Sequence, residues 1–208
     1  MAGKYRMVLD LPLPRVEVPD QTRGMTNTAL IVVDVQRAFD DTEFWGKRNN
    51  PDAEANIAAL LAAWARADQP IVLVRHDSVK PGSPLRPDHP GNAFKPELDG
   101  VRAALLFGKS VNSAFHGEID LHAWLTNRGI ADIVVVGIQT NQCVETTARV
   151  GGNLGYRVRV PLDATYTFDL TGPNTTLTAD QLAEATAVNL HGGEFATVTT
   201  TADILATV

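Results

Sequence analysis

Short apolar runs rich in β-branched residues recur along this chain, with helix-patterned stretches between them. That alternation constrains the fold more than any other feature. Ala29–Val33, Ile71–Val74 and Ile133–Val136 are of strand length and lack the every-second polar residue of a sheet with one wet face. They read as strands covered on both sides. Between the first two, Asn50-Pro51 reads as the N-cap and first residue of a helix whose Ile57, Leu60, Leu61 and Trp64 follow i, i+3, i+4, i+7 spacing. A strand near 104–107 precedes a helix with Leu121, Trp124 and Leu125 on one face, stopped by Gly129 at C′. A helix over 141–154 ends at Gly155, and 156–161 is another strand. Thr178 and Gln181 form a capping-box pair opening a helix to about Leu190; a strand at 195–199 and a short helix follow. No block of consecutive hairpins interrupts this order. The pattern predicts a three-layer, doubly wound, Rossmann-like α/β domain with a mostly parallel sheet of about six strands.

Residues 1–27, with Pro12, Pro14 and Pro19, read as an extended arm lying over a single domain spanning 28–208. The 208 residues are 44% hydrophobic and 20% charged, with 16 glycines and 12 prolines, which is the make-up of a folded domain rather than a disordered chain. The net charge of −6 and the lack of any Lys/Arg cluster exclude a nucleic-acid partner, because such binding rests on cations that displace phosphate counterions. Apolar runs of strand length exclude a membrane partner, and the opening residues lack the apolar core of a signal peptide. A single cysteine, Cys143, forms no internal disulfide and no Cys-based zinc site. A cytoplasmic location is expected.

In doubly wound sheets ligands bind beyond the carboxyl ends of the strands. The residues just past each run are Asp34, Arg75-His76, Lys109, the segment Gly137 to Cys143, and Asp163. An acid, a lysine and a thiol there are the parts of a nucleophilic site. Thiolate is the reactive form, and Cys143 in the first turn of a helix, near the Lys109 ammonium, is placed to favour it. Asp34 is placed to accept the thiol proton, and the backbone amides of Gln142 and Cys143 to bind an oxyanion. Each residue alone also has an ordinary reading: a small buried hydrophobe, a strand terminator, a solvated lysine. Their meeting on one edge of one sheet favours chemistry. The loop from His76 to about Gly100 is too long for a mere connection and is expected to line the site. Phe39, Trp45, His76, Asn112 and Phe115 are candidate substrate contacts, with core packing the competing account of the aromatics.

Three segments carry a family resemblance. Leu30-Ile31-Val32-Val33-Asp34-Val35-Gln36-Arg37-Ala38-Phe39 resembles the opening motif of the isochorismatase-like cysteine hydrolases. Lys109-Ser110-Val111-Asn112-Ser113-Ala114-Phe115 resembles their lysine motif, and Gly137 to Ala148, with Cys143, their nucleophile motif. The likeness runs in order from about Thr28 to Thr201. It implies an isochorismatase-type fold, an Asp34–Lys109–Cys143 triad, and a cis peptide between Ile138 and Gln139 that aims backbone amides into the site. Two positions depart from the pattern: Ala38 replaces an acid, and Glu118 replaces a small polar residue.

Isochorismatases proper carry a non-nucleophilic residue where Cys143 stands. The resemblance with cysteine retained therefore implies hydrolysis of a C–N bond in a small amide, carbamoyl or ureido substrate through a thioester. Vinyl-ether hydrolysis and a non-catalytic binding subunit are the alternatives. The nicotinamidase branch holds a metal through an Asp-x-His arrangement; this chain has His76-Asp77 and His89 instead, so neither metal nor cofactor is expected. Family members usually form dimers or tetramers, which implies a homodimer or homotetramer.

Overall fold

Strands β1 (Thr28–Val33), β2 (Ile71–His76), β3 (Leu105–Lys109), β4 (Asp132–Ile138), β5 (Arg157–Pro161) and β9 (Thr197–Thr199) form one sheet in the order β3-β2-β1-β4-β5-β9. Every neighbouring pair is parallel, and a two-residue strand β6 (Thr165–Tyr166) adds to the end of β4. A small antiparallel hairpin, β7 (Leu170–Thr171) with β8 (Thr176–Leu177), stands apart. These assignments come from a computed structural model, which describes residues 27–208. The expected arm over 1–27 lies outside the described residues except for Asn27.

Helices cover both faces: α1 (Thr42–Trp45), α2 (Ala53–Arg66), α3 (Leu121–Thr126), α4 (Glu145–Asn153), α5 (Ala179–Gly192) and α6 (Thr201–Leu205). The lack of polar alternation in β1 has a direct cause. Leu30 and Val32 pack with Ile57, Leu60, Leu61 and Trp64 of α2 and Ile204 of α6, while Ala29, Ile31 and Val33 face Leu121 and Leu125 of α3, Ala148 of α4 and Leu190 of α5. Every residue of β1 is buried, so a polar side chain on either face would have to leave water. Among the described residues, no helix is long and apolar enough to cross a membrane.

Two local readings hold and two are revised. Gly129 closes its helix with a Schellman pair: Ile130 N–H donates to Leu125 O at 3.1 Å and Gly129 N–H to Thr126 O at 3.0 Å, with Gly129 at φ +62°. The capping box at Thr178 and Gln181 is formed. Asn50, in contrast, does not cap α2. The helix starts at Ala53 behind Asp52, and the Asn50 side chain donates to Leu162 O and Thr165 O at 3.3 and 2.6 Å, recruited by a loop far along the chain. The expected helix over 141–154 is two pieces, a π-helical turn (Thr140–Val144) followed by α4.

A charged network ties α2 to the loops above it. Arg48 makes a bidentate pair with Glu54 at 2.6 and 2.7 Å and lies 3.6 Å over the Tyr166 ring; Lys95 reaches Glu54 at 2.8 Å and also Asp40. Burial alone would raise the Glu54 carboxyl, but the hydrogen bonds from Arg48 and Lys95 outweigh it and hold the group down to about 2. A depressed carboxyl contributes stability above its ordinary value of 4.5 and loses it as pH falls through the folded value. Glu54→Gln is therefore expected to lower the urea midpoint at neutral pH, with the gap to wild type closing as pH drops from about 4.5 towards 2. Urea titrations across that range check it, and a gap constant with pH would refute it.

Candidate active site

Each strand end delivers one group. β1 stops at Val33, and Asp34 turns the chain with φ +56°, a left-handed conformation that Asp tolerates better than most side chains. Lys109 closes β3 directly beside His76, its register partner on β2. Its ammonium donates to Asp34 Oδ2 at 2.6 Å and to His76 Nδ1 at 3.2 Å. His76 Nδ1 lies 3.9 Å from the same Asp34 oxygen. Near the end of β4, Gly137 at φ +124° lets the backbone close on Val33, and the Ile138–Gln139 peptide that leads out of the strand is cis, as the resemblance implied.

The π-helical turn then presents Cys143. Its sulfur, a carboxylate oxygen of Asp34 and a ring nitrogen of His76 lie within 4.8 Å of one another. Asp34 Oδ1 is buried and has no hydrogen-bond partner among the described residues. Such an oxygen is costly unless something comes to it.

The electrostatics differ from the expectation of a resting thiolate. Burial and the facing Asp34 carboxylate push the Cys143 thiol well up, and Lys109 only partly opposes them. The helix start does not decide the matter, because a buried sulfur beside a carboxylate is poorly placed to carry charge. Burial and the Lys109 ammonium hold the His76 imidazole below its ordinary value, so it is neutral near pH 7. Carboxylate, imidazole and thiol are also a possible metal ligand set. Lys109, bonded to both Asp34 and His76, already supplies the positive charge among them.

The remaining candidates fall into three places. Asn112 donates to the Gln142 side chain at 3.1 Å, one residue from Cys143. The Gln142 backbone N–H is taken, donating to Gln139 O at 3.1 Å, and Val144 N–H donates to the same carbonyl at 3.2 Å. Phe39 and Trp45 (centroids 4.9 Å apart) form an aromatic cluster with Phe168 on the α2 side of the sheet. Phe115 lies in the opposite layer, stacked on Tyr156 at 5.7 Å.

Both departures from the motifs have a packing counterpart. Ala38 fits against Gly91, where an added Cβ would stand 3.0 Å from the Ala38 side chain. Glu118 accepts a hydrogen bond from the Gly108 N–H at 3.3 Å, next to Lys109. Two residues not singled out beforehand hold the long loop. Gln36, fully buried, accepts from the His76 N–H at 2.8 Å and donates to His76 O and Asn92 O at 3.1 and 2.8 Å. Asn92 donates to Asp77 Oδ1 and Leu85 O at 2.9 and 2.8 Å. A polar Gln36 two positions past Asp34, next to apolar Val35, was a signal; Asn92 in a Pro-Gly-Asn turn offered none.

A doubly wound parallel sheet with acid, lysine and cysteine gathered at its carboxyl edge is the arrangement of a small α/β hydrolase domain. A model of the isochorismatase domain matches residues 28–203. The chain belongs to the isochorismatase family of hydrolases. It is 38% identical over 178 residues to the uncharacterised isochorismatase family protein YrdC of Bacillus subtilis, covering 85% of this chain and 94% of that one. It is 30% identical to the ureidoacrylate amidohydrolase RutB of Pseudomonas syringae, over 76% of this chain and 80% of that protein. The crystal structure of a protein assigned as an isochorismatase-family hydrolase, from Chromobacterium violaceum, superposes with a TM-score of 0.83 at 40% identity, covering 91% of this chain and 97% of that one.

Proposed function

We propose that the protein hydrolyses a C–N bond in a small amide, carbamoyl or ureido compound, with Cys143 as nucleophile, Asp34 as acid–base and Lys109 as the partner of Asp34. The observation that carries this reading is the Asp34 carboxylate, an oxygen of which lies within 4.8 Å of the Cys143 sulfur, with its buried Oδ1 lacking a hydrogen-bond partner among the described residues while Lys109 occupies Oδ2.

The thiol rests protonated, so its proton leaves as the attack occurs. Asp34 takes the S–H proton while sulfur bonds to the substrate carbonyl carbon, and the Cys143 amide N–H lies at the developing oxyanion. Asp34 then gives that proton to the leaving nitrogen, the C–N bond breaks, and a thioester remains. Water attacks it with Asp34 taking a proton, the acid leaves, and the thiol is restored. A relative named for ureidoacrylate hydrolysis acts on the same kind of bond.

A screen for ammonia or amine release over primary amides, carbamoyl compounds and ureas tests the class, with mass spectrometry of enzyme quenched during turnover. The expected result is release accompanied by an acyl adduct on the Cys143 peptide. Turnover of a vinyl ether with no adduct would assign the ether-cleaving reaction instead.

A further inference from the structure

We infer that His76 is a positioning residue of this site: as a neutral imidazole it accepts a hydrogen bond from Lys109 and fixes the ammonium against Asp34, and its protonation shuts down the reactivity of Cys143 on the acid side. The inference rests on the reading of Asp34, Lys109 and Cys143 just given, and adds to it a fourth group with a task of its own.

The geometry sets the protonation state. An ammonium has three donors and no lone pair, so at 3.2 Å from Lys109 Nζ the His76 Nδ1 must offer its own lone pair. The ring proton then sits on Nε2. A proton on Nδ1 would set two cationic donors face to face, and the contact could not persist. The imidazole is also built in rather than loosely placed: both its backbone polar groups are held by Gln36, and Asn92 adds a second bond to its carbonyl. Its side chain is only 16% exposed.

The charged groups around it pull in opposite directions. From β3, Lys109 opposes protonation, as does Lys80 in the loop after β2; from the end of β1, Asp34 favours it, as does Asp77, which is itself engaged by Arg75. The Cys143 thiol faces it from the π-helical turn. The nearest of these is Lys109, and it is the one that makes hydrogen-bond contact. Once His76 gains a proton, Lys109 is repelled and Asp34 Oδ2 turns to a second cation. The pairing that leaves Oδ1 free for the thiol is then lost.

Two substitutions separate this role from a merely structural one. The amide oxygen of His76→Asn can stand where Nδ1 stands and accept from Lys109, but it does not titrate. His76→Leu fills a similar volume and accepts nothing. The direct readout is the rate of Cys143 alkylation by iodoacetamide from about pH 5 to 8, which needs no substrate. Wild type is expected to lose rate on the acid side, whereas His76→Asn keeps the neutral-pH rate within about threefold and loses the acid inflection. His76→Leu falls about tenfold or more below wild type at neutral pH, the size of a lost hydrogen bond to a charged group, and the gap narrows on the acid side where wild type itself loses rate. Imidazole 15N shifts of wild type should show the Nε2–H form.

A His76→Leu rate equal to wild type at neutral pH, an acid inflection that survives in His76→Asn, or an Nδ1–H ring would each overturn the inference. The parent reading fails differently. Wild-type alkylation no faster than that of Asp34→Asn would remove the reactive cysteine itself, and this proposal with it.

Discussion

Cys143→Ala is expected to lower kcat for the proposed C–N hydrolysis by about ten-thousand-fold or more, because on that reading no other group in the site forms the thioester. The fold should persist, since removing one buried sulfur leaves a small space costing about 1 kcal/mol. Asp34→Asn makes the contrast. It removes the proton acceptor, with a loss of similar order, but it also strands the Lys109 ammonium, whose side chain is fully buried. Breaking a buried pair from one side costs about 3–5 kcal/mol, so this variant should be both inactive and less stable. Steady-state kinetics beside urea unfolding of the two variants makes the test. A Cys143→Ala enzyme with more than a few per cent of wild-type kcat would end the nucleophile reading.

Gly137→Ala is expected to be the most damaging single methyl in the molecule. At φ +124° a side chain is already strained, and the added Cβ would stand 1.9 Å from the Val33 carbonyl oxygen. Backbone on β1 cannot move aside without breaking the β1–β4 register on which Asp34 and Cys143 both depend. The cost should exceed about 4 kcal/mol, enough to leave little folded protein. Gly155→Ala supplies the control: it also has positive φ, at +89°, but nothing lies within 4 Å of its Cβ. The penalty there should be about 1–2 kcal/mol, from backbone conformation alone. Equal unfolding midpoints for the two variants would contradict the account.

The sheet and the placement of Asp34, Lys109 and Cys143 were legible because apolar runs covered on both faces stop abruptly, and the next residue marks the sheet edge. Ranges shifted by a residue or two where flanking residues, such as Phe195 and Ala196, resemble strand but donate their N–H groups to Leu190 O at the end of α5. What stayed hidden depends on register and burial. That His76 would meet Lys109 follows from the pairing of β2 with β3, which no local pattern encodes. The direction of the thiol's shift follows from how deeply Cys143 is set and which charge faces it, and a helix-start argument gave the opposite sign. The same blindness applied to Asn50, whose amide serves a loop over a hundred positions away.

Among the described residues, Lys109 stands on the outermost strand of its side of the sheet, joined to the other strands through β2. The proposed base and its cation thus come together only when that margin has been laid down, while the sulfur arrives from the other side of β1. On the proposed reading, hydrolytic power is in this sense a property of the domain with its border strand in place.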